Sequence, residues 1–334
     1  MLDHGGGILV ASRRYGIPVS DWLDLSTGLN PLGWPVPDVP AHVWHRLPEA
    51  TDGLEEAAAG YYGNAMLLPV AGSQSAIQAL PQLRDPCAVA VLESTYAEHP
   101  HAWTQHGHHV RHVSPAALDA EADVVDVMLV CNPNNPTGLL LTPKTLENWR
   151  QRLAIRGGWL VIDEAFMDAT PQYSMIPHVG RPGLVILRSI GKFFGLAGSR
   201  TGFVFAWPAL LEQLEDRLGP WTVSGPGRFS ARQALLDVAW QNMTRSRLNH
   251  DADRLAGCLT RAGLPPTGGT RLFQWWQSDR AGEVHEAMAQ RGILTRYFHK
   301  PCSLRFGLPA TETDWQRLED ALTAVSGQTM ASRI

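Results

Sequence analysis

Residues 124–138 read Val-Val-Asp-Val-Met-Leu-Val-Cys-Asn-Pro-Asn-Asn-Pro-Thr-Gly, a short apolar run closed by a cluster of turn residues. A run of this length without polar alternation suits a strand buried on both faces, as in a parallel sheet covered by helices. Comparable runs recur at Cys87–Leu92, Trp159–Ile162, Leu184–Leu187 and Gly202–Ala206, each ended by Gly, Pro or polar residues. Helix candidates lie between them, among them Pro143–Ala154 with Thr142 as its expected N-cap. The alternation predicts an α/β fold.

Beyond Pro208 the texture changes. Longer helical stretches, Arg228–Arg254 and Thr313–Val325, flank two apolar patches at Leu272–Trp276 and Leu304–Leu308, which predicts a smaller α+β domain. The first forty residues, rich in Gly and Pro, read as an arm lying across something rather than as a core element. The expected division is therefore an arm at 1–40, a large domain at 41–215 and a small domain at 216–334, with the second boundary between 208 and 220.

Composition narrows the function. With 334 residues, 44% apolar and 18% charged, the chain is long enough for about two domains and carries no disordered tract. Its net charge is −4 and no block of basic residues exists, which excludes the electrostatic footprint of a nucleic-acid binder. The four cysteines, Cys87, Cys131, Cys258 and Cys302, are far apart and form no C-x-x-C, so neither a disulfide framework nor a zinc ribbon is expected. No apolar run approaches eighteen residues, and the start of the chain lacks the basic and apolar regions of a signal peptide; the expectation is a cytoplasmic protein without membrane contact. Only three lysines occur, Lys144, Lys192 and Lys300, so any lysine chemistry has three candidates.

In a doubly wound sheet, ligands bind beyond the carboxyl ends of the strands. Those ends carry Asn132-Pro-Asn-Asn-Pro-Thr-Gly138, Asp163-Glu-Ala-Phe166 and Arg188-Ser-Ile-Gly-Lys192, followed by Gly195-Leu-Ala-Gly-Ser-Arg200. Upstream, Ala71-Gly-Ser-Gln-Ser-Ala76 opens a helix with small residues and free amides, the way backbone N–H groups reach a phosphate. An amine able to form a Schiff base, together with an acid for a pyridinium nitrogen, is what pyridoxal phosphate requires. Singly, each element reads as a turn, a strand cap or a solvated lysine. Their order, with Asn135 to Asp163 spanning 28 residues and Asp163 to Lys192 spanning 29, is hard to obtain by accident.

The stretch from about 70 to 205 resembles the fold-type-I pyridoxal-phosphate enzymes of the class I/II aminotransferase family, near the histidinol-phosphate aminotransferases. The resemblance implies a large domain with a mainly parallel seven-stranded sheet between helices, a smaller α+β domain and a homodimer. It also implies that Lys192 carries the cofactor, Asp163 pairs with its pyridine nitrogen and Asn135 with its ring hydroxyl. Gly72, Ser73, Gln74, Ser189 and Arg200 would hold the phosphate, and Tyr96 would stack on the ring. Arg305, in Leu304-Arg-Phe306, would grip the substrate α-carboxylate through a bidentate contact.

His4-Gly-Gly and Leu23-Asp-Leu-Ser-Thr-Gly-Leu-Asn-Pro-Leu-Gly33 are similar to the amino-terminal signature of the threonine-phosphate decarboxylase branch, which serves cobalamin biosynthesis. That likeness implies loss of carbon dioxide from L-threonine O-3-phosphate, with the substrate held by His4, Gly5, Gly28, Asn30, Asn135, Arg296 and Arg305. A phosphate-selective aminotransferase and a non-catalytic relative that binds the cofactor remain the alternatives.

Three residues depart from the pattern. Phe166 stands where a tyrosine is usual, Leu47 where relatives place a tyrosine reaching the partner's phosphate, and Gly28 where close relatives carry an asparagine. His99, His101, His106, His108, His109 and His112 crowd beside Glu98, but without a third ligand at helical spacing they read as a solvated helix and loop, and no metal is expected. Trp240, Trp275 and Trp276 read as core or interface aromatics, and Glu164 as pointing away from Asp163.

Overall fold

The computed structural model describes residues 2–331. The chain divides into two compact units, one built from residues 33–135 and 139–242, the other from residues up to 32, 136–138 and from 243 onward.

The larger unit contains a seven-stranded sheet: β1 (Leu67–Val70), β2 (Ala88–Leu92), β3 (His109–Val113), β4 (Val127–Cys131), β5 (Trp159–Asp163), β6 (Leu184–Ser189) and β7 (Gly202–Phe205). Their spatial order is β1-β7-β6-β5-β4-β2-β3. Pairings from β3 through β6 are parallel, while β7 runs antiparallel to both β6 and β1. All five apolar runs of the sequence became strands, and every residue of β4, β5 and β7 is buried. The polar edge strand β3 is mostly exposed and gave no such signal.

Strand alternation sorts the side chains. Val127, Leu129, Val161, Val185, Leu187 and Val204 enter one core with Ile77, Leu80, Trp103, Leu210 and Leu214. The helices contributing to it are α2 (Gly72–Ala79), α3 (Glu98–Gln105) and α5 (Pro208–Leu218), numbered from α1 (Leu54–Tyr62) with α4 (Pro143–Ala154) between. In α4 the expected cap is present: the Thr145 amide donates to Thr142 Oγ1 at 3.2 Å. A sixth helix, α6 (Gly225–Leu236), packs on α1 and belongs to this unit, so compact packing here extends past the expected limit at 215. The single helix expected over 228–254 is two, α6 and Val238–Arg261, parted at Asp237.

In the smaller unit, four antiparallel strands follow: β8 (Gly268–Thr270), β9 (Phe273–Gln277), β10 (Arg296–Phe298) and β11 (Ser303–Gly307), in the order β10-β11-β9-β8. The amino-terminal segment, expected as an arm packing with the small domain, belongs to this unit up to Leu32. Leu23–Asp24 pairs parallel with Ile293–Leu294, the Gly307 amide donates to Leu25 O at 2.7 Å, and Leu25 is fully buried. Its apolar residues Trp22, Leu23 and Leu25 explain this, because a strand edge in reach satisfies the backbone while they leave water. Trp275 and Trp276 are buried as expected, and in the larger unit Trp240 stacks on Phe194.

A buried ion network lies on the opposite face of β5 and β6 from Asp163. Arg188 donates to Asp168 Oδ1 at 3.3 Å, and its Nη2 lies 2.9 Å from Glu164 Oε2, all three side chains being out of contact with water. Burial pushes the Glu164 carboxyl upward, and Arg188 opposes that shift. Replacing one member leaves buried charge without its counterpart, at a cost of about 3–5 kcal/mol. Arg188→Met is expected to lose that much stability in urea unfolding; a loss below 1 kcal/mol would mean that the network braces nothing.

Candidate active site

The parallel strands β4 and β5 end level with each other, Cys131 opposite Asp163, and Asp163 is in turn opposite Leu187 of β6. Asp163, Cys131 and Ser189 thereby share one face, and Glu164 and Arg188 the other, as the alternation of the sequence requires. Asp163 is 6% exposed. Its Oδ1 accepts the Ala165 amide at 3.0 Å, and its Oδ2 accepts Nε2–H of His99 at 2.9 Å.

His99 is a buried neighbour of Asp163 that the sequence reading missed. Far from belonging to a solvated helix and loop, it is 1% exposed, on the first turn of α3. The ligand atoms of His99, Cys131 and Asp163 lie within 4.8 Å of one another. Burial alone would depress the His99 pKa, but the hydrogen bond to Asp163 and the Cys131 thiol overcome it and hold the imidazole at about 10. That upward shift favours the protonated ring, a buried partner for the Asp163 carboxylate. His108 is also buried, bonded through Nε2 to Pro81 O and through Nδ1 to the Cys87 amide, while His101, His109 and His112 are exposed.

Tyr96, three residues before His99, meets its ring edge-on at 5.9 Å. Its hydroxyl donates to Gln74 Oε1 at 3.4 Å, and Gln74 Nε2 donates to Glu98 Oε2 at 2.8 Å. Burial first, then the Glu98 and Asp163 charges, push the phenol up to about 12, with Arg200 opposing. Electrostatics thus ties Tyr96 to both Asp163 and Arg200. In the loop 132–138 the side chains of Asn132 and Asn134 brace backbone, Asn132 to Leu141 and Asn134 to Ser94 O. Asn135 follows them, half-buried.

Lys192 follows β6 in a tight loop. Gly191 N donates to Ser189 Oγ at 3.2 Å, Gly195 N to Lys192 O at 3.2 Å, and Lys192 Nζ lies 5.4 Å from the centre of the Phe166 ring. Phe166 thus lines the lysine, in place of the hydroxyl a tyrosine would bring. The loop ends at Arg200, whose φ of 51° is left-handed. Its guanidinium is aimed at the start of α2, where no side chain caps the first turn. A Cβ on Gly72, whose φ is 69°, would sit 2.7 Å from Arg200 Nη2. Uncapped amides, a guanidinium and a residue that must be glycine form a cradle fit for the phosphate of pyridoxal phosphate. With Lys192 and a charged Asp163 in the same unit, the donor set suits that cofactor. All of the expected cofactor residues, Gly72, Ser73, Gln74, Tyr96, Asn135, Asp163, Ser189, Lys192 and Arg200, fall in the larger unit.

The expected substrate residues other than Asn135 fall in the smaller unit. Arg305 is buried on β11, and Arg296 of β10 is its direct register partner. Arg305 Nη2 donates to Ser26 O at 2.7 Å, and Arg296 is bonded to Asp3. Gly28 is buried, His4 and Gly5 are exposed, and Asn30 is buried with its Oδ1 accepting from Arg247 at 2.7 Å.

The profile of the family described as aminotransferase class I and II matches residues 42–324. A relative named threonine-phosphate decarboxylase, from Pseudomonas aeruginosa, is 53% identical over 96% of this chain and 97% of its own. Another of that name, from Sinorhizobium sp, is 43% identical over 96% and 97%. The solved structure of histidinol-phosphate aminotransferase from Sinorhizobium meliloti, in complex with pyridoxal-5'-phosphate, superposes with a TM-score of 0.84 at 19% identity, covering 97% of this chain and 95% of that one. The fold, the order of the motifs and these matches agree: the chain belongs to the aminotransferase class I and II family.

Proposed function

We propose that this protein is a pyridoxal-phosphate-dependent decarboxylase that converts L-threonine O-3-phosphate into (R)-1-amino-2-propanol O-2-phosphate and carbon dioxide, for cobalamin biosynthesis. Full-length similarity to two relatives named for that activity carries the reading. The register supports it: Arg296 and Arg305 are direct neighbours, as a compact substrate with a carboxylate and a phosphate at opposite ends requires.

Bound pyridoxal phosphate supplies an electron sink for the bond that breaks at the substrate's Cα. Asp163, fixed by His99, would accept the N–H of the cofactor ring and keep that nitrogen protonated. The α2 amides of Ser73 and Gln74, the hydroxyl of Ser189 and the Arg200 guanidinium hold the phosphate, and Tyr96 covers the ring, with Asn135 on its hydroxyl. Lys192 would hold the cofactor and, once released from it, would be the group placed to return a proton to the substrate's Cα. Arg305 takes the α-carboxylate, and Arg296 with His4 and Gly5 takes the substrate phosphate. Two fixed anions would set the rotation of the substrate about its Cα, and so whether carbon dioxide or a proton departs.

Incubation with O-phospho-L-threonine and no keto acid is expected to give carbon dioxide and aminopropanol phosphate in equal, catalytic amounts. Lys192→Ala is expected to abolish that turnover and the visible absorbance of bound cofactor. Product formed only with 2-oxoglutarate present, with glutamate arising from histidinol phosphate, would overturn the reading in favour of an aminotransferase.

His99 is proposed as a positioning residue for Asp163. A hydrogen bond between charged groups contributes about 1.5–3 kcal/mol, so His99→Asn is expected to release cofactor about tenfold more readily or worse. The sign of the pH effect follows from a folded pKa raised above 6.5, with Asp163, Cys131 and Tyr96 as the groups facing the ring. The contribution of His99 is complete below pH 6.5 and fades as pH rises toward 10. Urea unfolding of cofactor-free protein should accordingly separate wild type from His99→Asn most at pH 6 and less at pH 9.5; a constant gap would refute the ion pair.

A homodimer in the cytoplasm completes the proposal. All four cysteines are free thiols, which suits a reducing compartment. Trp44 and Leu47 are each 64% exposed, beside a cleft lined by His42, Arg46, Phe229 and Arg232. Such an apolar rim is what a second copy would cover. Sedimentation equilibrium is expected to give twice the 36.6 kDa chain mass and Leu47→Asp to reduce it; an active wild-type monomer would refute the dimer.

A further inference from the structure

Because β10 and β11 pair antiparallel with Arg296 opposite Arg305, both guanidinium groups leave the same face of the small sheet. Like charges placed directly opposite repel, so each needs an acceptor. Both acceptors come from the amino-terminal segment. Arg305 has Ser26 O, whereas Arg296 donates through Nη1 to Asp3 Oδ2 and through Nη2 to Asp3 O, both at 2.5 Å.

The Asp3 contact is built differently from a chance surface pair. Arg296 is only 15% exposed and lies over the Phe298 ring, while the Asp3 side chain, 81% exposed, caps it from the water side. The segment behind Asp3 is seated on the same residue that holds Arg305. Gly6 N donates to Ser26 Oγ at 2.8 Å, and a Cβ on Gly5 would meet Ser26 O at 2.4 Å, so only glycine lets the chain lie this close. A carboxylate thus sits on a mostly buried arginine, the one proposed above to take the substrate phosphate.

Both anions on one guanidinium would bring like charges into contact, so they must exchange. We propose that Asp3 is the resident counter-ion of the phosphate site: its carboxylate holds Arg296 when no phosphate is bound, yields it to the substrate and reclaims it as the phosphorylated product leaves. The proposal rests on the reading of Arg296 as the phosphate-binding arginine. Every ligand that uses Arg296 is then weakened by one common factor, the fraction of molecules in which Asp3 has let go. A ligand without phosphate is not weakened.

Asp3→Asn keeps the shape and the backbone contact but removes the charge. In the cofactor-loaded enzyme, the inhibition constant of inorganic phosphate and the KM for O-phospho-L-threonine are expected to fall together, by about twofold to tenfold, as for an exposed pair strengthened by a second contact. The inhibition constant of L-threonine, which lacks the phosphate, is expected to stay unchanged. A phosphate constant that stays level or rises overturns the proposal, since Asp3 would then be inert or would orient Arg296 for phosphate. Equal shifts for L-threonine and phosphate also overturn it, because they would report a general opening of the segment. Arg296→Ala separates the two readings: it should raise the phosphate constant and KM with L-threonine unaffected. If it changes neither, the assignment of Arg296 fails and the exchange falls with it; if it acts as expected while Asp3→Asn does nothing, only the exchange fails.

Discussion

The register of β4 against β5 is the constraint on which the larger unit's chemistry depends. Cys131 opposite Asp163 places the acid at the carboxyl edge, on the face where α3 delivers His99. Side chains alternate with a period of two, so a slip of one residue would exchange Asp163 for Glu164. Those two neighbouring acids now have opposite tasks. Asp163 meets a histidine and faces the cofactor residues, whereas Glu164 is spent on Arg188, Ser174 and the Met175 amide.

Charges in a dry interior are costly unless paired, and two buried sets of described residues show such pairing. Arg188 has Glu164 and Asp168, and Asp163 has His99. Breaking any of these costs desolvation that no water repays, which makes them stiff. The pair formed by Arg296 and Asp3 differs because one member is in water. Its carboxylate can leave without being stranded, so a contact of that kind suits a group that must change partners during turnover.

Much of this was legible in the sequence. Short unalternating apolar runs gave the central strands, since burial on both faces leaves no polar position; the ends of those runs marked the residues proposed to hold the cofactor, because strand ends are where ligands meet an α/β sheet. Edge strands β1 and β3 were fainter, as one side of each has no neighbour to demand apolar residues. His99 was illegible for another reason. Its neighbours along the chain, Glu98 and Pro100, describe an ordinary helix start, and its partner is 64 residues away. A buried histidine is recognised only by what it touches. The same holds for Arg296 and Arg305, nine residues apart around a hairpin whose register cannot be read from composition, and for Leu25, whose burial depends on a strand edge supplied by residues 293–294.

The motifs shared with aminotransferases describe how the cofactor is held, and a decarboxylase needs the same grip. What separates the reactions is the rotation of the substrate about its Cα, and that is set by where its charged ends are fixed. On the proposed reading Arg296 and Arg305, direct register partners, would each take one anion, and their planar forks define orientation as well as position, which lysine could not do. Threonine phosphate carries a carboxylate and a phosphate on adjacent carbons, one anion for each arginine. On that reading the choice between the two reactions is written less in the lysine and aspartate than in the small sheet that sets one arginine against the other.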